Sequence, residues 1–214
     1  MKIRFEKFKR IVLESIMNEN NLPITDMGDI LRLNTCQKQK NMSFGYDGFI
    51  FVHKDVNPEI SDKKPYLMLI HQIDSDDGTD YGWQIHFHNF INGETTPKIY
   101  DDLYKALEKT CKSGMELHSA SFTPGGISGY NKLSKYGFKK IWLPNNTYSY
   151  WSTSSDHGGD LILSKLEEWL NNGKHLDEFL VKNENGEFIL PKQSNEKKFS
   201  YENTIPRPFK MVKI

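Results

Sequence analysis

A mixed, mainly antiparallel α/β (α+β) domain is the fold class this sequence predicts, and three observations predict it. Phe49-Ile-Phe-Val-His, Tyr66-Leu-Met-Leu-Ile-His-Gln-Ile and Trp83-Gln-Ile-His-Phe-His-Asn-Phe are strand-length runs of β-branched and aromatic residues, separated by Pro/Asp/Gly-rich turns. Ile99, Leu103, Leu107 and Thr110 recur at helical spacing behind Pro97, a residue suited to a first helical turn. From Met115 to Ile141 the chain reads as strand, turn, helix, strand, with Thr123-Pro-Gly-Gly as the turn and Gly137 as the helix stop.

Taken in order, Phe8, Ile11, Val12, Ser15 and Ile16 share one helical face and predict a helix over roughly residues 4 to 18. A shorter helix is expected after Thr25 or Asp26 as cap. The three strands then form an antiparallel meander, and the helix from Pro97, capped by Thr95 or Thr96, leads through Gly114 into the alternation Met115, Leu117, Ser119. The strands around Tyr66, Trp83 and Met115 are expected to be neighbours in one sheet, with that helix as the crossover. Gly137 should take a left-handed conformation and hand the chain to Phe138. Leu161, Leu166, Trp169 and Leu170 mark one more helix, stopped by Asn171-Asn172-Gly173. The C-terminal stretch is rich in Lys, Asn, Glu and Ser, with short apolar pieces at Phe188-Ile-Leu and Phe209-Lys-Met-Val, and reads as a peripheral hairpin or arm. The expected organisation is an α/β domain over residues 1–150, with residues 151–214 packed on it as helix and arm.

The 214 residues suffice for one substantial core. With 28 basic and 28 acidic residues, the net charge announces neither a nucleic-acid nor an anionic-membrane partner. No apolar run approaches the ~20 residues of a membrane span, and Glu14, Asn18 and Glu19 interrupt what would be the apolar part of a signal peptide. A cytoplasmic protein is expected. Cys36 and Cys111 lack zinc-type spacing and read as reduced thiols.

His86 and His88 alternate with Trp83, Ile85 and Phe87, so both imidazoles share the strand side opposite the large apolar residues. His71 and His118, on the strands expected to flank this one, would bring up to four imidazoles together. Such a group can exchange protons near neutral pH or bind a transition metal, although no metal ligand set is assigned. His86 and His88 with Glu94 are similar to part of a cupin metal motif, but the spacing differs and a second motif is absent. Pro124-Gly-Gly-Ile-Ser-Gly admits two readings: backbone N–H groups of Gly125 and Gly126 cradling a phosphate, or a tight strand-to-helix turn.

Lys132-Leu-Ser-Lys-Tyr-Gly-Phe-Lys resembles the "Tyr-x-Lys-x-Gly-Phe" phrase of GNAT N-acetyltransferases, and the element order from residue 4 to about 142 is similar to theirs. The resemblance implies a GNAT-like sheet and acyl transfer from acetyl-CoA to the amine of a small molecule or protein. It implies His86 or His88 as general base, oxyanion donors in the backbone near Phe90, and Tyr130 as the acid for the thiolate. The pyrophosphate would lie against the segment Asn92-Gly-Glu-Thr-Thr-Pro-Lys, with Thr95, Thr96 and Lys98 as donors. That segment has one glycine, and the family's tyrosine position is Leu133, with Tyr130 and Tyr136 nearest. A non-catalytic binding protein on the same fold is the alternative. Trp151-Ser-Thr-Ser and Glu187-Phe-Ile-Leu-Pro resemble the Ser-Thr-Ser strand and glutamate turn of ADP-ribosyltransferases, without the early arginine strand and with Asn185 where those enzymes often carry Glu or Gln.

Overall fold

Period-two alternation builds an antiparallel meander of five strands, β1 (Ile24–Asp26), β2 (Ile30–Gln37), β3 (Phe44–His53), β4 (Tyr66–Asp74) and β5 (Asp80–His88). The computed structural model describes residues 24–37, 44–54, 66–74, 79–88, 97–152, 159–173, 175–194 and 199–214. Chain contacts divide it into two units, Met1–Leu117 and His118–Ile214. The helix expected over residues 4 to 18 lies outside the described residues.

In the first unit, cross-strand partners sort the side chains onto two faces. One face joins Leu31, Leu33, Ile50 and Val52 in a buried cluster, with Ile24 and Met68 packed against it. The other carries Phe51, Leu67 and Leu69, all fully buried. Burial on both faces explains why β3 and β4 are nearly continuous apolar runs, each large side chain contributing about 1.5–3 kcal/mol of transfer free energy. Helix α1 (Pro97–Thr110) lies on the second face. There Arg32 Nη1 donates to Thr110 Oγ1 (3.5 Å), and His53 Nε2 lies 3.3 Å from Asp102 Oδ2. Its buried stripe is Ile99, Leu103, Tyr104, Ala106 and Leu107, as the helical spacing predicts. The helix is a crossover to β6 (Glu116–His118), which runs parallel to β5 with Leu117 opposite Trp83. The three strands expected to be neighbours are neighbours.

The helix expected after Thr25 or Asp26 is instead a strand and turn. Asp26 Oδ1 accepts from Gly28 N (3.0 Å), Gly28 has φ +88°, and Met27 N donates to Ile30 O (2.9 Å). An Asp that accepts from the N–H two residues on makes an Asx turn, and here it returns the chain into β2 rather than starting a helix.

The second unit begins with β7 (Ser121–Phe122), α2 (Pro124–Lys132), a 3-10 turn Leu133–Tyr136 and β8 (Phe138–Trp142). Gly137 sits at φ 72°, ψ 31°, the expected left-handed stop. β9 (Tyr150–Trp151) runs parallel to β7. Next come α3 (Gly159–Asn171), β10 (Phe179–Lys182), β11 (Phe188–Ile189), β12 (Thr204–Pro206) and β13 (Phe209–Lys213). β10 lies between β11 and β12, and β13 pairs antiparallel with β8. The C-terminal stretch therefore contains a hairpin but is not a peripheral arm. Phe209 is 1% and Met211 0% exposed, and the neighbouring Lys210 and Lys213 disguise a core strand as polar chain.

Candidate functional site

On β5, His86 is exposed and faces away from Trp83 and Ile85, as alternation requires, while the side chain of His88 lies outside the described set. His71 does not join the expected gathering of histidines. His71 is paired across β4 and β5 with Trp83, so it stands on the opposite side of the sheet from His86. There its Nε2 is 3.0 Å from Asp80 Oδ1 and its ring 5.1 Å from that of Trp83. A register irregularity between Gln72 and Ile73 brings Asp80 to this position. Trp83 stacks on Phe49 with centroids 6.4 Å apart, and the Arg32 guanidinium lies 4.9 Å over Phe49. His118 belongs to the second unit.

At the start of α1, Lys98 is exposed, with Nζ 3.7 Å from Asp29 Oδ2. Phe90, Thr95 and Thr96 lie outside the described residues. Behind Lys98 is a constellation that sequence reading did not find: the ligand atoms of Asp29, His53 and Asp102 all lie within 4.8 Å of one another. Strand pairing builds it. Ile30 is the cross-strand partner of His53, and Lys54 N donates to Asp29 O (2.8 Å), which holds the β1–β2 turn beside the end of β3. Asp102, one turn beyond Lys98, closes it from α1. His53 is 0% exposed, Asp102 is partly buried and Asp29 exposed. One signal was available: His53 follows Phe51 at period two and so belongs to the face that α1 covers.

In the second unit the Thr123-Pro-Gly-Gly segment is a helix cap. Thr123 Oγ1 accepts from Gly126 N (2.9 Å) and Thr123 O from Ile127 N (2.9 Å), while Pro124 has no N–H. Gly126 thus has its N–H committed within the turn, as the strand-to-helix reading holds, and the exposed Gly125 sits beside it. Tyr130 is buried against Phe122 and Phe209, with centroids 6.2 and 5.5 Å away, and its hydroxyl is 3.4 Å from His118 O.

Lys140 anchors a part-buried polar cluster in this unit. Its Nζ donates to Glu178 Oε2 (2.5 Å) and Asn131 Oδ1 (2.8 Å), and Asn131 Nδ2 donates to Glu178 Oε1 (2.9 Å). The ammonium lies 4.1 Å from the Phe209 centroid and 4.2 Å from that of Trp142, on which Arg207 also stacks at 4.1 Å. Burial pushes the Lys140 pKa below its ordinary 10.5, an effect that Glu178 opposes and Arg207 reinforces. Glu187 accepts from Asn183 Nδ2 (3.2 Å) in the β10–β11 turn, where Asn183 Oδ1 also accepts from Asn185 N and Glu187 N.

No described helix is long and apolar enough to cross a membrane. The chain matches no protein-family model, no curated protein and no solved structure.

Proposed function

We propose that the chain is an acyl-CoA-dependent N-acyltransferase acting on an amine, with a GNAT-like arrangement of elements. The observation that carries this reading is the switch at β5: an antiparallel meander ends there, α1 crosses over, and β6 returns parallel to β5. Helix α2 and the 3-10 turn that left-handed Gly137 closes before β8 continue the element order. Where a sheet changes from antiparallel hairpins to a helical crossover, the space beyond the strand's carboxyl end is open to a ligand.

His86 lies near that end of β5 and Lys98 in the first turn of α1. In this reading His86 takes the proton from the acceptor amine as its nitrogen attacks the thioester carbonyl. The C–N bond forms, the C–S bond breaks, and the thiolate of coenzyme A leaves and is protonated. Among the described residues Lys98 pairs with Asp29 in an exposed ion pair, worth about 0–1 kcal/mol, which a phosphate of the cofactor can displace.

The test is a thermal-shift titration of the full chain with acetyl-CoA, backed by mass spectrometry of an amine panel. A ligand that binds only the native state raises the melting temperature. A rise with acetyl transfer supports the reading, a rise without transfer supports the non-catalytic binding protein, and no rise removes both.

A further inference from the structure

We infer that Asp29, His53 and Asp102 form a binding site for one divalent transition-metal ion of the zinc class, separate from the proposed acyl transfer. The donor set is one imidazole nitrogen and two carboxylate oxygens, a mixture that suits borderline ions better than magnesium or calcium, which favour oxygen alone. The spacing fits as well. Two ligands bound to zinc at about 2.0–2.1 Å and a tetrahedral angle stand about 3.4 Å apart, and His53 Nε2 to Asp102 Oδ2 is 3.3 Å. That separation is long for a charge-assisted hydrogen bond, which runs about 2.7–2.9 Å.

The main chain of the third ligand residue is held in place, since Lys54 N donates to Asp29 O (2.8 Å) beside the end of β3. All three donor atoms lie within 4.8 Å, and rotation of the exposed Asp29 carboxylate closes the remaining gap. The nitrogen donor is wholly buried and the two carboxylates come from different elements, so the site is rigid on one side and open on the other. Lys98, 3.7 Å from Asp29, is exposed and supplies the countercharge that the ion would displace. Three protein ligands leave a coordination position for water or substrate.

Zinc chloride titrated into the full chain, followed by calorimetry and melting temperature, tests this. The expected result is one saturable Zn²⁺ per chain with a rise in melting temperature. Affinity should fall about tenfold or more in Asp29→Asn and in Asp102→Asn, and stay unchanged when His86 and His88 are both replaced by alanine. His53→Ala removes a buried side chain and can simply unfold the protein, so exposed Asp29→Asn is the deciding variant. Absence of saturable binding overturns the inference, as does binding that survives both aspartate changes or that is lost with His86 and His88.

Discussion

His71 and Trp83 stand directly across from each other in the β4–β5 ladder, and that pairing separates His71 from His86. Cross-strand partners share a face, so His71 lies with Trp83, whereas His86, three residues further along β5, lies on the opposite one. Of these two histidines, His86 is the one on the side of β5 where the proposed base would act. His86→Ala should lower kcat by about a hundredfold or more, the usual contribution of a positioned base, while His71→Ala should leave kcat near that of the unchanged protein. Equal losses in both variants, measured with saturating acetyl-CoA, would remove His86 from the chemistry.

A second prediction concerns Gly48 in β3, the cross-strand partner of Ile70. A Cβ built there would lie 2.2 Å from Leu69 O and 2.9 Å from Ile70 Cα, both backbone atoms that cannot swing aside. Gly48→Ala must therefore push the β3 and β4 backbones apart. Overpacking of this kind costs about 1–3 kcal/mol, and urea unfolding should show a lower midpoint at unchanged slope. An unaltered midpoint would mean the two strands are less closely packed than this.

What could be read in advance follows the physical origin of each signal. β3, β4 and β5 were visible because burial on one or both faces writes itself into the residues as apolar runs. β2 was not, because Asp26 has the chemistry of a helix cap and of an Asx turn alike, and only the Gly28 conformation decides between them. β13 hid behind its lysines, although Phe209 and Met211 recur in the strand period on either side of Lys210. Asp29, His53 and Asp102 come from a turn, a strand end and a helix. Their meeting depends on the β2–β3 register and on how α1 lies across the sheet, neither of which is a local property of the chain.

Gly137 offers a test of a conformation rather than a contact. Its φ of 72° ends the helical segment, and its N–H donates to Leu133 O. An L-residue in this region costs roughly 1–2 kcal/mol, so Gly137→Ala should destabilise by about 1 kcal/mol and Gly137→Asn by less, since asparagine tolerates the left-handed region best. Denaturant midpoints of the three proteins should fall in the order glycine, asparagine, alanine. If alanine equals glycine, the cap contributes nothing to stability.

The Lys140–Glu178 pair yields a prediction with a sign in pH. The two side chains are 17% and 14% exposed, so removing one charge strands the other, and Glu178→Gln should destabilise the protein by on the order of 3 kcal/mol. Lys140→Met removes the charge that burial penalises and fills similar volume between the Trp142 and Phe209 rings. Because burial holds the folded Lys140 pKa below the ordinary 10.5, the unfolded chain binds more protons between the folded value and 10.5. Stability arising from this group therefore rises as pH increases through that window. Below the folded value the burial penalty is present in full, and above 10.5 it is gone. The stability difference between wild type and Lys140→Met should accordingly move in favour of wild type as the solution is made alkaline. Urea unfolding of both proteins at neutral and alkaline pH measures it, and a difference that stays constant, or moves toward the methionine variant, would show that Glu178 outweighs burial at this lysine.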